Sequence, residues 1–558
     1  MTFKKYLQLT YSKLNFRLSN FNLVVALLSL FFCIPIIVIC GSLFFPARDV
    51  WSHLYDTVLI DYIFTSFTLL IGVGFFSLIL GVIPAWLITM YKFPMSRYLE
   101  WALLLPMSMP AYIIAYSYTG AFDASGPIQE AIRDFAGWGY NDYWFPEVRS
   151  LGGAVAMLSF VLYPYIYLLS RASFIEQSVC VLEVSRTLGC NTIGSFTRVA
   201  LPLARPAIIV GLSLVLMETL ADYGTVQYFG VSAFTTGIFR TWFGMDNSLV
   251  ASQLSALLLL FVIVFIYLER RSRKQLTYHH TSNRYSPLLK QKLKGSHALF
   301  AFLACFIPLL LGFIIPAGFL FDWAIETYSG LFDKNFYILL LNTMMLAFIT
   351  ALLALSIALF LGYVNRNSCS VINRFLVRFV SMGYAIPGTV VAVGVLIPFV
   401  WIDNRLDEFL RLHFSISSGL LISGTLFILV FAYLVRFLAV SINTVEAALG
   451  KIKPEMDEIA KTNGLSQTGI VKKIHMPIMK GSLLTALLLV FVEVLKELPA
   501  TLILRPFNFN TLAVRTYELA NEERLADAAI PALAIVLIGI IPVIMISNSI
   551  SKSRPGYE

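Results

Sequence analysis

Charge is what this sequence has least of. Its 558 residues carry 41 Lys and Arg against 32 Asp and Glu, so only 13% are charged, where a soluble chain carries about 25%. Together with 58% hydrophobic residues and a mean hydropathy of +0.78, this excludes an ordinary soluble domain and points to an integral membrane protein of many helices. Cysteine is scarce too. Cys33, Cys40, Cys180, Cys190, Cys305 and Cys369 lie in apolar runs or in loops assigned below to the cytoplasm, so no disulfide framework is implied. The six histidines are scattered apart from His279 and His280, and no CxxC or HxxxH spacing suggests a metal cage. A nucleotide-binding loop is missing as well. GLSQTG at Gly464 to Gly469 has phosphate-loop spacing, but Ile470 and Val471 come after it instead of Lys and Ser or Thr, and no strand precedes it. No His, Cys or Ser/His/Asp set converges at one membrane depth to mark an enzyme. The net charge of +9 fits the positive-inside rule far better than nucleic-acid binding.

What is present is a series of apolar stretches of spanning length. The first, from about Leu23 to Phe45, comes after Lys4, Lys5, Lys13 and Arg17. It is too long for a signal-peptide core and no small-residue cleavage site comes after it, so it reads as a retained membrane helix. Others lie near 62–90, 98–120, 151–170, 206–227 and 249–268, then near 298–322, 336–363, 375–401, 416–438, 481–503 and 527–547. The expectation is about twelve transmembrane helices, six on each side of a basic linker at 269–297. Loop charge orients them. Glu269 to Lys294 holds eight Lys or Arg and one acid, whereas 121–150 holds five acids and two arginines. Both termini and the linker are therefore expected in the cytoplasm, with the acidic, aromatic 121–150 loop outside.

The second half repeats the first. Glu183 to Pro202 reads EVSRTLGCNTIGSFTRVALP, and 275 residues later Glu458 to Pro477 reads EIAKTNGLSQTGIVKKIHMP, with five identities in twenty positions. The register continues without a gap: Glu218 meets Glu493, Asp222 meets Glu497, Thr236 meets Thr511, and Arg240-Thr241 meets Arg515-Thr516. Upstream, MPAY at Met109 matches IPGT at Ile386 in nearly the same register. An even number of spans per half makes this a parallel repeat with a pseudo-two-fold along the membrane normal. Each copy of the motif should be two short helices. The first is stopped by Gly189 or Gly464. The second starts near Thr192 or behind Ser466 as N-cap, and Pro202 or Pro477 ends it. Ile470, Val471 and Ile474 share an apolar face with Lys472 and Lys473 off it, a shape suited to a groove in a partner. Two copies suggest a two-fold partner.

The spacing Glu, then Gly six residues on, a hydrophobic residue at position seventeen and Pro at position twenty resembles the EAA loop of ABC importer permeases. Of the motif's two alanines, only Ala460 in the second copy is kept. The resemblance implies an all-α fold of two pseudo-two-fold-related six-helix modules (MetI-like), fused in one chain, over 1–268 and 298–558. It implies coupling to a cytoplasmic ABC ATPase, a homodimer by symmetry, through Glu183, Gly189, Phe196, Val199 and Pro202 in one loop. In the other the residues are Glu458, Gly464, Ile470, Ile474 and Pro477. ATP and Mg would sit on that partner, and this chain would bind no cofactor. A periplasmic substrate-binding protein and a bacterial inner membrane are implied as well.

METLADYGTVQYFGVSAFTTGIFRTW (217–242) and VEVLKELPATLILRPFNFNTLAVRTY (492–517) are similar to stretches of the ferric iron importer permeases. Fe³⁺ is a hard cation that prefers oxygen ligands, and intramembrane acids are functional candidates. Glu218 and Asp222, like Glu493 and Glu497, stand four apart, which on a helix is one face. With Tyr223 they are the candidate translocation path, and Tyr228 is a weaker candidate. Against this, the acids could pair with Lys496, Arg240, Arg505 or Arg515. Other solutes of related permeases (thiamine, phosphonate, sulfate, polyamine) and an ion-gradient-driven secondary transporter are the competing readings. No metal site is assignable from the sequence.

Overall fold

In a bilayer core every backbone N–H and C=O needs a partner within the chain, and long apolar runs meet that demand as helices. The computed structural model describes residues 20–176, 187, 191–274, 290–328, 333–367, 371–450 and 452–551. Among them eleven helices are long and apolar enough to cross a membrane, and a pair bent by 92°, Ser96–Ser108 with Ala111–Ala136, makes a twelfth. The first half supplies Leu23–Ser42, Leu59–Met90, the bent pair, Leu151–Ile175, Ile193–Ala221 and Ser248–Tyr267. The second supplies Gly295–Glu326, Lys334–Arg366, Gly388–Phe414, Leu426–Leu449, Val471–Leu495 and Leu525–Met545.

The windows 98–120 and 375–401 are not single helices. Each holds a short helix (Ser96–Ala102; Val371–Val380), a 3₁₀ turn (Leu105–Ser108; Gly383–Ala385) and the start of a new helix at Ala111 or Gly388. Proline is the cause. A residue before proline is pushed out of the helical region, and Met109 and Ile386 are extended, with ψ of 118° and 125°. The window 416–438 also shifts, because the helix begins only at Leu426. The buried Asp403 carboxylate accepts the N–H groups of Ile422 (3.0 Å) and Ser423 (2.7 Å) and so holds the preceding residues as a turn.

The two halves interleave. Within each, three helices form the nucleus: Leu59–Met90, Leu151–Glu176 and Leu201–Ala221, and correspondingly Lys334–Asn367, Leu426–Leu449 and Met476–Leu495. The outer helices cross over. Asn20–Ser42 packs on Val371–Val380 and Gly388–Phe414 of the second half, while Gly295–Leu309 packs on Leu59–Met90 of the first. Both hydrophobic cores consequently contain residues of both halves. The end of the linker is pinned to the first half: Gln291 and Lys292 pair in parallel with Tyr91 and Lys92. Lys290 and Arg171 both reach Glu100. Residues 275–289 lie outside the described residues.

Candidate functional site

Each repeated loop runs without interruption into a membrane span. Thr192–Ser195, a π turn at Phe196–Ala200 and Leu201–Ala221 form one helix; so do Gln467–Ile470, Val471–His475 and Met476–Leu495. This corrects the expectation that Pro202 and Pro477 end the short helices. Both prolines fall in the turn after a π bulge, where the N–H groups of Leu201 and Met476 reach five residues back, to Phe196 and Val471. The widened turn leaves room for a residue that lacks an N–H and has a ring. Both prolines are exposed.

The preceding turn behaves as the sequence suggests in the second copy. Gly464 stops Pro454–Thr462 with φ +76°, and Leu465 N–H bonds to Ala460 O at 3.1 Å, a Schellman closure. Ser466 Oγ accepts Gly469 N–H at 3.2 Å. In the first copy Asn191 does the same for Gly194 at 2.7 Å, while Glu183 and Gly189 lie outside the described residues.

The apolar face is partly covered by the bundle itself. Ile470 is fully buried, Val471 and Ile474 are half-buried, and Phe196 and Val199 pack on the chain's own core. These residues fasten the loops to the bundle. Exposed on the loops instead are Glu458, Met456, Ile459 and Ile193. The two fastenings differ in kind. Phe196 packs on Trp86 (ring centroids 5.1 Å), which packs on buried Phe174. In the second copy, buried His475 meets Asp457 at 2.6 Å, and Arg366 meets the same carboxylate at 3.2 Å.

At the far end of these continuous runs both helices break. Leu201–Ala221 stops before Asp222, whose backbone is extended; Asp222 Oδ1 then accepts the N–H groups of Thr225 and Val226 at 3.1 Å, starting Gly224–Tyr228. Glu497 does likewise after Met476–Leu495, with Oε1 accepting Ala500 N–H at 3.2 Å ahead of Pro499–Leu504. The acids of each half therefore do not share a continuous helix face. Glu218 and Glu493 end the long helices, and Asp222 and Glu497 begin the short ones.

The pseudo-symmetry brings all four together. Glu218, Asp222, Glu493 and Glu497 line one cavity of about 90 Å³ with Tyr223, Lys496 and Arg436. Four carboxylates against two cations leave a formal charge of −2. Both long helices point their C-terminal, partially negative ends at it. Tyr165 and Arg436, near the middles of Leu151–Glu176 and Leu426–Leu449, place the cavity well within the bundle. Tyr223 stacks on Phe239 at 3.7 Å; Tyr228 lies outside the lining, under the Arg149 guanidinium.

Of the cations considered as partners, only Lys496 pairs with these acids, meeting Glu493 at 3.0 Å. Arg505 and Arg515 reach Glu518, and Arg240 reaches Ser232. The residue that sequence reasoning missed is Arg436. It is buried, pairs with Glu497 and stands 3.8 Å from Glu218 of the other half. The signal was there: it is the lone charge in LFILVFAYLVRFLAV, and an ionisable group inside a span is functional by default. Among the described residues no three His, Cys, Asp or Glu converge in a metal-holding group.

A family model described as a binding-protein-dependent transport system inner membrane component matches residues 77–274 and 354–553. The chain is 24% identical over 536 residues to the Fe(3+)-transport system permease protein FbpB 2 of Haemophilus influenzae, covering 94% of this chain and 97% of the relative. It is 22% identical over 516 residues (88% of this chain, 78% of the relative) to a putative ferric transport system permease protein, FbpB 1, of the same organism. Shorter similarities include the molybdenum transport permease ModB of Escherichia coli, 29% identical over 154 residues, 28% of this chain and 64% of the relative.

Proposed function

The chain belongs to the family of binding-protein-dependent transport system inner membrane components, and we propose that it carries ferric iron into the cytoplasm as the fused permease of an ABC importer. A periplasmic binding protein delivers the ion to the outer face, and a separate ATPase dimer holding ATP and Mg drives the cycle. The membrane is the bacterial inner membrane, with both termini cytoplasmic, as the basic start and linker require.

The observation that carries this reading is the pair of continuous levers. Each runs from one of the two repeated loops to a break whose carboxylates meet at one cavity. A helix transmits displacement along its axis because its backbone bonds hold each turn to the next. Closing an ATPase dimer on the two loops moves both lever ends, and the breaks rearrange around the ion. ATP does the work by binding one arrangement better than the other.

The cargo reading rests on the ferric relatives, which cover nearly the whole chain, and on the cavity's formal charge of −2. That charge attracts a hard cation and repels sulfate or molybdate. The test is uptake by proteoliposomes holding this chain, its ATPase and its binding protein. ATP-dependent accumulation of radioactive Fe³⁺ is expected, with sulfate, thiamine and phosphonate failing to compete. Accumulation of an organic solute or oxyanion instead overturns the cargo. Uptake driven by a proton gradient without ATP overturns the mechanism.

A further inference from the structure

The cavity's charges are unequally supplied. Each half gives two carboxylates, yet both cations come from the second half: the 275-residue register places Val161 opposite Arg436 and Ala221 opposite Lys496. The carboxylates also differ in how committed they are. Asp222 spends its oxygens on the turn it caps, and Glu497 is held by Ala500 N–H and Arg436. Among the described residues, Glu218 and Glu493, one from each half, end their helices with Arg436 and Lys496 as ion-pair partners, and Tyr384 hydrogen-bonds to Glu218. The phenols of Tyr165 and Tyr384 stand beside them. A further phenol is idle: Tyr112 lines the cavity, is 5% exposed, and its hydroxyl has no hydrogen-bond partner among the described residues. The cavity is thus lined by carboxylates and phenols, one phenol unpartnered, and such oxygens are what a hard cation prefers.

We propose that Lys496 and Arg436 are tethered counter-cations that occupy the carboxylates of the empty path and set a charge threshold, so that a trivalent hard cation displaces them more readily than a divalent ion does, and a monovalent ion least of all. The proposal rests on the ferric reading above. An ammonium tethered 3.0 Å from Glu493 competes at a high effective concentration. A monovalent ion gains no Coulomb energy by taking its place. Attraction to Glu218 and Glu493 scales with ionic charge, so a trivalent ion gains about three times as much as the ammonium it displaces. The displaced side chain stays attached and returns when the ion leaves, which reseals the path. Lys496 and Arg436 are thus specificity-determining residues that need not coordinate the cargo.

The test uses the full permease with its ATPase in nanodiscs, without nucleotide. Tb³⁺ binding is read by tyrosine-sensitised luminescence and Mn²⁺ binding by electron paramagnetic resonance, for wild type, Lys496→Met, Lys496→Arg and Glu493→Gln. Wild type is expected to bind Tb³⁺ and to lose that binding in Glu493→Gln. Lys496→Met is expected to bind Mn²⁺ about fivefold more tightly than wild type, the factor an ion pair at the upper end of the modest range is worth. Lys496→Arg, which keeps the charge, is expected to bind Mn²⁺ as weakly as wild type does. Equal Mn²⁺ affinity in wild type and Lys496→Met overturns the threshold, as does Mn²⁺ binding to Lys496→Arg at the level of Lys496→Met. If Tb³⁺ binding ignores Glu493→Gln, the cation path itself falls, and the threshold with it.

Discussion

Arg436 is costly to leave without its partner. A guanidinium taken out of water is tolerable only with its partner in place, and removing one partner of a buried pair costs about 3–5 kcal/mol. Arg436→Met should therefore lower the apparent melting temperature in nanodiscs sharply, while Arg436→Met with Glu497→Gln should recover much of the loss; a double-mutant cycle with no coupling would refute the pair. Gly388 guards the same contact. A Cβ there would stand 2.5 Å from Glu497 Oε1 and 2.9 Å from Arg436 Nη1, closer than real Cβ atoms come. Gly388→Ala is expected to cut transport more than it cuts stability, measured by ATP-dependent uptake beside the melting curve.

Legibility at this scale was uneven. The four acids stand out in the sequence because charges in apolar runs are rare. Arg436 stands out for the same reason, yet which acid it meets depends on how two distant helices pack. Tyr112, Tyr165 and Tyr384 carry no signal at all, since an aromatic residue in a span is ordinary until its neighbours are known.

For the elements, the lever is the unit that matters, and its fastening differs between the two loops. Asp457→Asn removes the carboxylate shared by His475 and Arg366. The second loop should then loosen while the first, held by Phe196 on Trp86, stays put. Hydrogen exchange should accelerate over 454–475 and not over 192–200; equal protection in the variant and wild type argues against the ionic fastening. Gly464→Pro is a harsher test of the same loop, because proline is confined to φ near −65° and Gly464 sits at +76°. ATPase association and transport should both be lost. Glu458→Lys, an exposed change, should leave the melting curve unchanged while weakening ATPase binding and, with it, transport.

The repeat made the two loops legible, down to Gly464 as helix stop and Ser466 as cap, because both are set by local backbone chemistry. The helices beyond the loops were less legible. Proline after a short helix suggests a break, but a π bulge lets the helix continue. The apolar face of Ile470 suggested a partner, but the bundle itself covers it. Periodicity tells which residues share a face and leaves open which neighbour that face meets.

Taken whole, the chain is two repeats that cannot be pulled apart in space. The first span of each half packs on the other half, so cutting the chain near residue 280 should give two fragments that assemble only when made together. Co-purification from co-expressing cells, and aggregation of either fragment made alone, is the expected outcome; a stable, monodisperse first half by itself would contradict the interleaving.

The sequence by itself determined the class, the number of candidate crossings, the repeat and the position of the two repeated loops. Each is written in local composition or in a fixed spacing, and the bilayer leaves helices as the only way to satisfy those runs. Only the tertiary structure decided that the acids of both halves face one cavity, that Arg436 and Lys496 are the cations between them, and that Ile470 holds the loop to the bundle. Those are contacts between residues tens to hundreds of positions apart. They arise from how helices pack against one another, which spacing along one helix does not encode.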